Sequence, residues 1–396
     1  MRNANGGEME YRPGWPNPNS LKGLCLRYMA LTTKIDAIVA STSNHPAHTG
    51  LVVGLLEGGQ GSIHGYGIAG GAPPAGDTLY EIGSVSKIFT TALLSILADE
   101  GTVELEDPVA DFVAELSAFP PQVTLQHLAT HTTGLPKMPS NILRSMLRDR
   151  GNPYAGYSTE DLLRYLSKHP PSARQMAARQ VRYSNLGMAL LGMLLARRLG
   201  GTYEAAVIRT ICDPLGMSDT AIQIAPEHES RLAAPHNPRG KRGRNWDLPA
   251  FAGAGALKST TDDLLTFLAA HLGRGPSELT RALQNCHSVR ERTFAPPGAL
   301  QRLVARVSGR ELGDDRIQEG MALGWTVGRL PSGEAQVHWH HGATGGYRAF
   351  VGFVKARQIA VVVLANSGPT MQDGMFGTTA TDRVGFATLE LLVEGR

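Results

Sequence analysis

The chain has 396 residues, of which 42% are apolar and 18% are charged, as is typical of a globular protein large enough for two subdomains. Its 38 basic and 35 acidic side chains leave a formal net charge of +3, so the composition provides no strong electrostatic field for nucleic acid or anionic lipid. The three cysteines, Cys25, Cys212 and Cys286, are far apart and lack C-x-x-C spacing. We therefore expect neither a disulfide framework nor a zinc knuckle, and a reducing compartment fits best.

The N-terminal segment is polar and rich in Pro, Gly and Asn, and the apolar patch that follows it, LCLRYMAL, is short and interrupted by Arg27. This pattern is neither that of a secretory signal peptide nor that of a transmembrane helix. We therefore expect a cytoplasmic protein without a membrane partner. Residues 1–30 are expected to form a flexible segment, with roughly the first twenty residues loosely ordered, and Met29 is an equally good start site.

A β-hairpin and a long helix are the first predicted elements. The strand-like runs LVVGLLE (51–57) and SIHGYGIAG (62–70) flank the turn sequence GGQG, which is typical of a hairpin. The helix begins near Ser84, its apolar residues recur at i, i+3, i+4 and i+7, and Gly101 stands where a C-terminal cap belongs. The apolar positions of this helix are Val85, Ile88, Phe89, Ala92, Leu93, Ile96 and Leu97.

Helical and loop-like patterns dominate the middle of the chain. The run STEDLLRYLSKH offers Ser158 or Thr159 as a helix cap. The run SNLGMALLGMLLARRLGG is apolar on almost every side, as expected of a buried helix. These patterns predict a mostly helical subdomain over residues 111–249.

Strands return near the C-terminus. β-branched and aromatic residues dominate the runs AQVHWHHG, YRAFVGFV and IAVVVLAN, and KARQ between the last two suits a tight turn. A closing helix, DRVGFATLELLVEG, follows them. This order predicts an α+β fold in which helices flank an antiparallel sheet that both chain ends complete. The sheet subdomain is expected over residues 31–110 and 250–396.

Ser84 and Lys87 lie three residues apart in the first turn of the predicted helix, so their side chains share one face. A serine hydroxyl becomes a good nucleophile when a base takes its proton. A lysine can act as that base if desolvation and the positive end of the helix dipole lower its pKa. The alternative is an N-cap serine beside an ordinary first-turn lysine, and spacing alone favours that alternative.

Two further motifs favour the chemical interpretation. Tyr183 and Asn185 form Y-x-N at the start of the apolar helix, where a phenol can relay a proton and an amide can contact a lysine or a substrate carbonyl. The alternative here is a core tyrosine with Ser184 as a helix cap. The strand WHHG carries His340 toward Gly342 and other small residues, which would let a substrate lie against the backbone.

Together these motifs resemble those of a known superfamily. The stretches SVSK (84–87), YSN (183–185) and HHG (340–342) are similar to the S-x-x-K, Y-x-N and K/H-x-G elements of serine β-lactamases and penicillin-binding proteins. The resemblance is greatest to class C β-lactamases and family VIII carboxylesterases. It runs from about residue 35 to the C-terminus and implies the β-lactamase/transpeptidase-like fold. The connecting stretches that match as well are DPVADFV, VTLQHLATHTTGLP, DPLGMSDT and GAGALKSTTDDLLTFL.

The resemblance implies an acyl-enzyme mechanism. Ser84 would attack an ester or amide carbonyl, Lys87 and Tyr183 would share the general-base role, and Tyr183 would return a proton to the leaving group. The backbone N–H groups of Ser84 and Ala343 would form an oxyanion hole, in which the loss of one donor typically costs about 10²–10³ in rate. Asn185 would position the substrate or Lys87.

His340 stands where many β-lactamases have lysine, so the resemblance implies a weaker cation for a substrate carboxylate, one that titrates near neutrality. The esterase and D-peptidase branches often have histidine there. We therefore expect a carboxylesterase that acts on small esters or amides and could also hydrolyse β-lactams weakly. The alternatives are a class C-like β-lactamase, a D-amino-acid peptidase, an acyltransferase or peptide cyclase, and a slow-deacylating penicillin-binding protein.

Other patterns in the chain bear on a metal site or on a different hydrolase fold. His127 and His131 are four residues apart, and His338, His340 and His341 crowd one strand, but the H-E-x-x-H pattern of zinc hydrolases is missing. No G-x-S-x-G occurs, which argues against an α/β-hydrolase. We expect no metal, no cofactor and no nucleic-acid partner, and the sequence leaves the oligomeric state open.

Overall fold

The computed structural model describes residues 22–42, 49–292, 318–333, 335–370 and 379–395. The loose order expected for roughly the first twenty residues lies outside these ranges. The strands and helices below are numbered in chain order within the described residues.

The main feature is a seven-stranded antiparallel sheet with the order β2-β1-β9-β8-β7-β6-β5. The N-terminal hairpin joins it through β1, which pairs with β9, so that both chain ends complete the sheet as predicted. A separate short ladder pairs β3 with β4. The strands are β1 (Gly50–Glu57), β2 (Gln60–Gly67), β3 (Tyr80–Glu81), β4 (Lys258–Ser259), β5 (Gln318–Met321), β6 (Thr326–Arg329), β7 (Gln336–Ala343), β8 (Arg348–Val354) and β9 (Ile359–Ala365).

Helices surround this sheet, and most of them lie between β3 and β4 in the chain. Among the described residues, no helix combines the length and the apolar character needed to cross a lipid bilayer. The helices are α1 (Lys22–Thr42), α2 (Ser86–Asp99), α3 (Leu125–Ala129), α4 (Leu143–Arg148), α5 (Thr159–Lys168), α6 (Ala173–Ala177), α7 (Asn185–Arg198), α8 (Tyr203–Val207), α9 (Asp213–Leu215), α10 (Ala252–Gly255), α11 (Thr261–His271), α12 (Ser277–Gln284) and α13 (Ala380–Glu394).

Helices cover both faces of the sheet, which explains why β9 is an unbroken apolar run. Val361 and Val363 pack into one core cluster with residues of α1 and α13. Val362 and Leu364 point the other way, into a larger cluster shared with α2 and α11. A strand buried on both faces loses the apolar and polar alternation of a half-exposed strand. The observed fold is therefore the predicted α+β arrangement.

Helix α2 is the central helix of the larger cluster. Every residue from Ser86 to Leu97 is buried, because α2 packs against α7, α10 and α12 as well as against the turn that precedes it. Gly101 adopts a φ of +71° just beyond its C-terminal end, the left-handed conformation expected of a C-terminal glycine. This packing fixes the start of α2 next to the end of β7, where the candidate site lies.

Several predicted details differ from the structure. Strand β2 begins at Gln60, so the hairpin turn is only Gly58 and Gly59, both with positive φ. Helix α1 begins at Lys22, and the boundary expected at residue 30 falls inside it. The strands β3 to β6 were not predicted, because two to four residues are too few to display a period of two.

A cluster of three buried histidines lies behind β7 and explains part of the HWHH run. His271 Nδ1 is 2.9 Å from His287 Nε2, and the ring of His338 stacks on Phe353 with 4.9 Å between centroids. Burial, which is the largest effect, lowers the pKa of His271 to about 3 and that of His338 to about 4, and the neighbouring Lys355 acts in the same direction. These rings are therefore neutral packing groups at physiological pH.

This cluster predicts a loss of stability in acid. The unfolded chain takes up protons on its histidines below pH 6.5, whereas folded His338 resists protonation until about pH 4. The free energy of unfolding should therefore fall between about pH 6.5 and pH 4, with a slope that approaches about 1.4 kcal/mol per pH unit for each such histidine. His338→Phe should reduce this slope in denaturant titrations at pH 7, 6 and 5. The control is His169→Phe at an exposed histidine, and equal slopes in the wild type and His338→Phe would contradict the prediction.

Candidate active site

Ser84 lies on a one-turn 3₁₀ helix, Gly83–Val85, that leads directly into α2. Gly83 has a φ of +50°, and a Cβ atom there would lie 2.7 Å from both the nitrogen and the oxygen of Ala343. Gly342 is equally constrained, since a Cβ at that position would lie 2.0 Å from the Ile82 oxygen. The two glycines therefore allow the Ser84 turn to lie directly against the end of β7.

The side chains of Lys87 and Tyr183 converge on the Ser84 hydroxyl. Lys87 Nζ lies 2.8 Å from Ser84 Oγ, and Tyr183 OH donates to the same oxygen over 2.7 Å. Lys87 Nζ also donates to the Ala254 carbonyl oxygen over 2.6 Å, which fixes its direction. The structure thus brings together the three predicted catalytic side chains in hydrogen-bonding geometry suited to proton transfer.

Lys87 is fully buried, and no carboxylate within the described ranges forms an ion pair with it. Desolvation is the main reason that its pKa lies well below that of an ordinary lysine, and the positive charge of Lys137 adds to the effect. Its Nζ lies 4.9 Å from the centroid of the Tyr183 ring. An amine in this environment can be neutral near physiological pH, and a neutral amine can accept the Ser84 proton.

The pKa of Tyr183 is shifted in the direction opposite to that of Lys87. Burial raises its pKa above that of a free phenol, and the hydrogen bond to Ser84 offsets only part of this effect. The phenol is therefore protonated at rest and can donate a proton to a leaving group. His131 packs against it with 4.8 Å between ring centroids, and burial lowers the pKa of His131 to about 3, so this neighbour is neutral. Its ring Nδ1 accepts the backbone N–H of Ser184 over 3.3 Å.

The backbone N–H of Ala343 is directed toward Ser84. Thr344 N donates to the Tyr347 oxygen over 3.1 Å, so the next pair in the ladder, Ala343 and Arg348, is a pair without mutual hydrogen bonds. The Ala343 N–H consequently points away from β8, and the pairing of β6 with β7 ends at Trp339. With the Ser84 N–H beside Gly342, this arrangement can provide two donors for an oxyanion.

Asn185 is the first residue of α7 and lines the same cleft as Ser84. Its Nδ2 donates to the thioether sulfur of Met138 over 3.4 Å, and its buried Oδ1 has no hydrogen-bond partner among the described residues. A thioether is a weak acceptor. Most of the hydrogen-bonding capacity of the Asn185 amide is therefore left for a bound molecule, and the amide contacts Met138 in place of Lys87.

The expectation that His340 titrates near neutrality is wrong. The ring is buried, its Nδ1 is 2.7 Å from the His341 carbonyl oxygen, and its centroid is 6.4 Å from that of Tyr183. Burial is the main cause of a pKa well below 6.5, and the adjacent Lys87 lowers it further. His340 is therefore a buried, neutral ring near Tyr183, and it supplies no positive charge for a substrate carboxylate.

The cleft also contains residues that sequence reasoning did not identify. Tyr154, Trp246 and Leu248 line a narrow cavity of about 40 Å³ above Ser84. Trp246 is held by buried Glu81, whose Oε1 accepts the backbone N–H of Trp246 over 2.8 Å. These residues lie in loops with irregular sequence, and no motif or periodicity marks them.

The histidine pair His127 and His131 serves two separate structural roles. His127 Nδ1 lies 2.8 Å from Thr124 Oγ1 at the start of α3, whereas His131 packs beneath Tyr183. Their four-residue spacing therefore reflects capping at the start of α3 and side-chain packing just after its end.

Comparison with known proteins agrees with this geometry. A family model described as Beta-lactamase matches residues 35–385. A beta-lactamase of Pseudomonas fluorescens is 25% identical over 351 residues, covering 84% of this chain and 92% of that protein. The D-alanyl-D-alanine-carboxypeptidase/endopeptidase AmpH of Escherichia coli is 25% identical over 342 residues, covering 83% of each chain.

The fold is also similar to that of a solved relative. The crystal structure of a class C beta-lactamase from Rhodobacter sphaeroides superposes with a TM-score of 0.68 and 26% identity, covering 92% of this chain and 99% of that chain. The family match includes the Ser84 turn, Tyr183 and the end of β7. The chain therefore belongs to the beta-lactamase family, within the superfamily of serine β-lactamases and penicillin-binding proteins, and it is a serine hydrolase.

Proposed function

We propose that this serine hydrolase is a carboxylesterase that cleaves small esters through an acyl-enzyme on Ser84. The observation that supports the mechanism is the convergence of Lys87 Nζ and Tyr183 OH on Ser84 Oγ, at 2.8 and 2.7 Å. The observation that supports an ester preference is the neutral, buried His340 at the position expected to hold a cation.

In the acylation step, neutral Lys87 takes the Ser84 proton while Oγ attacks the ester carbonyl carbon. The carbonyl oxygen becomes an oxyanion that the N–H groups of Ser84 and Ala343 stabilise. Tyr183 donates its proton to the departing alkoxide, and the resulting phenolate recovers a proton from the Lys87 ammonium. The products of this step are an alcohol and an ester of Ser84, and the base is neutral again.

In the deacylation step, water occupies the position of the departed alcohol. Lys87 and Tyr183 remove one proton from this water as it attacks the acyl carbon. Oγ then leaves as the Ser84 hydroxyl, taking up the proton held by Lys87, and the carboxylic acid is released. The same two side chains therefore serve both steps in opposite directions.

Leaving-group chemistry also favours esters over amides in this site. An alkoxide or phenoxide needs less proton donation to depart than an amine does, and burial makes Tyr183 a weak acid. The cleft beside Ser84 is narrow and is lined by Tyr154, Trp246 and Leu248, which favours a small acyl group.

The second candidate function is hydrolysis of β-lactams or of D-amino-acid peptides. It is favoured by the relatives, which carry the names beta-lactamase and D-alanyl-D-alanine-carboxypeptidase/endopeptidase. Asn185 adds support, because its free Oδ1 can accept the N–H of an amide substrate.

One comparison of substrates tests the proposal. We expect kcat/KM to be highest for p-nitrophenyl butyrate, lower for nitrocefin and lowest for D-alanyl p-nitroanilide, all measured on one preparation with Ser84→Ala as the blank. A clear preference for nitrocefin would make the protein a β-lactamase, and a preference for the anilide would make it a D-aminopeptidase. Either result would overturn the esterase assignment.

A further inference from the structure

Lys137 is held rigidly at the edge of the candidate site by its backbone. Its carbonyl oxygen accepts the N–H groups of Asn185 and Leu186, over 3.0 and 3.4 Å. The preceding carbonyl, that of Pro136, accepts the Ser184 hydroxyl over 2.8 Å. The loop that carries Lys137 is therefore fixed on the first turn of α7, which also carries the Y-x-N motif.

The ammonium group of Lys137 lies near the ring of Tyr183. Its Nζ is 6.0 Å from the centroid of the Tyr183 ring, and the hydroxyl of that ring contacts Ser84 Oγ. Unlike Lys87, Lys137 is exposed to solvent. Within the described ranges, no carboxylate lies within ion-pair distance of it. The chain thus places a positive charge near Tyr183 that has no counter-ion among the described residues.

The other basic groups of the site do not provide such a charge. Lys87 is buried and hydrogen-bonded to Ser84 and to the Ala254 carbonyl, and His340 is buried with its Nδ1 against the His341 carbonyl. Asn185, next to Lys137 through its backbone, has an amide whose donor contacts only a thioether. An exposed ammonium group this close to the Tyr183 ring can pair with a substrate carboxylate at the edge of the site.

We infer that Lys137 binds a carboxylate group of the substrate, so that the preferred substrates are small esters with a free carboxyl group near the scissile bond. This inference rests on the proposed esterase function, because the same Ser84 centre cleaves the ester. It places the anion-binding position on the α7 side of the cleft, across from β7. The position at which a substrate carboxylate is bound therefore differs from the one that a cation on β7, at position 340, would provide.

The test uses two matched pairs of esters, so that the half of the substrate that carries the carboxylate is identified. The first pair, p-nitrophenyl hexanoate and mono-p-nitrophenyl adipate, differs in the acyl group, and the adipate chain is too long for its carboxylate to expel p-nitrophenolate readily by cyclisation. The second pair, phenyl butyrate and 4-(butyryloxy)benzoate, differs in the leaving group. The variants are Lys137→Met, which removes the charge, Lys137→Arg, which keeps it, and Lys168→Met, which removes an exposed lysine of α5.

For one of the two pairs, Lys137→Met should lower the ratio of kcat/KM for the carboxylate ester to that for the neutral ester by about tenfold, mainly through KM. Lys137→Arg should restore most of the ratio, and Lys168→Met should leave it at the wild-type value. Added salt should weaken the wild-type preference but not that of Lys137→Met. Unchanged ratios in both pairs would overturn the inference, while turnover of the neutral esters would leave the proposed function standing.

A binding measurement keeps the two proposals distinguishable if turnover is absent. Titration of Ser84→Ala with mono-p-nitrophenyl adipate and with 4-(butyryloxy)benzoate by calorimetry needs no enzymatic turnover. Weaker binding of one of them to Ser84→Ala/Lys137→Met would support the inference even if no ester were cleaved, a result that would refute only the proposed function. If each compound bound Ser84→Ala and Ser84→Ala/Lys137→Met with the same affinity, the role of Lys137 would be refuted.

Discussion

Ser84→Ala is expected to lower kcat/KM for every substrate by about 10⁴-fold or more and to abolish covalent labelling by a fluorophosphonate. Ser84 Oγ is contacted by both Lys87 Nζ and Tyr183 OH. Removing it leaves the two proton-transfer groups without a nucleophile. The circular dichroism spectrum and the thermal midpoint should change little, because the alanine removes only one hydroxyl from a cleft-lining position.

Ser86 provides the matched control. It lies two residues away, and its Oγ accepts the backbone N–H of Leu257 over 3.1 Å. Ser86→Ala should therefore cost roughly 1 kcal/mol of stability while retaining fluorophosphonate labelling. Peptide mapping that found the label on another serine, with Ser84 unmodified, would disprove the assignment of the nucleophile.

Lys87→Ala and Tyr183→Phe should each slow acylation by about 10³-fold, and the double variant should be scarcely slower than either single variant. The two side chains contact the same oxygen and form one proton-transfer unit, and effects within such a unit are not additive. Single-turnover kinetics with p-nitrophenyl butyrate would measure these rates. Losses that simply multiplied in the double variant would show that the two groups act independently.

Lys87→Met is the control for packing, since Lys87 is fully buried and alanine would leave a cavity. It should match Lys87→Ala in activity and exceed it in stability. The pH profile gives a further check. The wild-type rate should rise with pH as the Lys87 ammonium loses its proton, well below the pKa of an ordinary lysine, because burial disfavours the charged form.

The sequence was informative where function depends on local spacing. Ser84 and Lys87 are three residues apart, and such a separation near a helix start places two side chains on one face whatever the rest of the fold does. The periodicity of α2 predicted a buried helix, and the β-branched runs predicted β7, β8 and β9. The approach of Tyr183 to Ser84 depends on tertiary packing, and the sequence indicated it only through resemblance to a family.

The sequence was least informative where chemistry depends on burial. The motif that contains His340 gave no sign that its ring, on β7, would be buried near Tyr183 and so stay neutral. Lys137 follows a glycine-proline loop with no motif of its own, and its nearness to Tyr183 results from backbone hydrogen bonds to α7. Contacts of this kind join distant parts of the chain, so that neither periodicity nor composition records them.

Time-resolved intact-protein mass spectrometry with p-nitrophenyl butyrate follows the acyl-enzyme on Ser84 through which we propose that the protein turns over esters. We expect an adduct with the mass of one butyryl group, located on Ser84 and decaying at a rate that explains kcat. Ser84→Ala should form no adduct. An adduct that persisted after the substrate was consumed, or p-nitrophenol release without any adduct on Ser84, would refute the proposed mechanism.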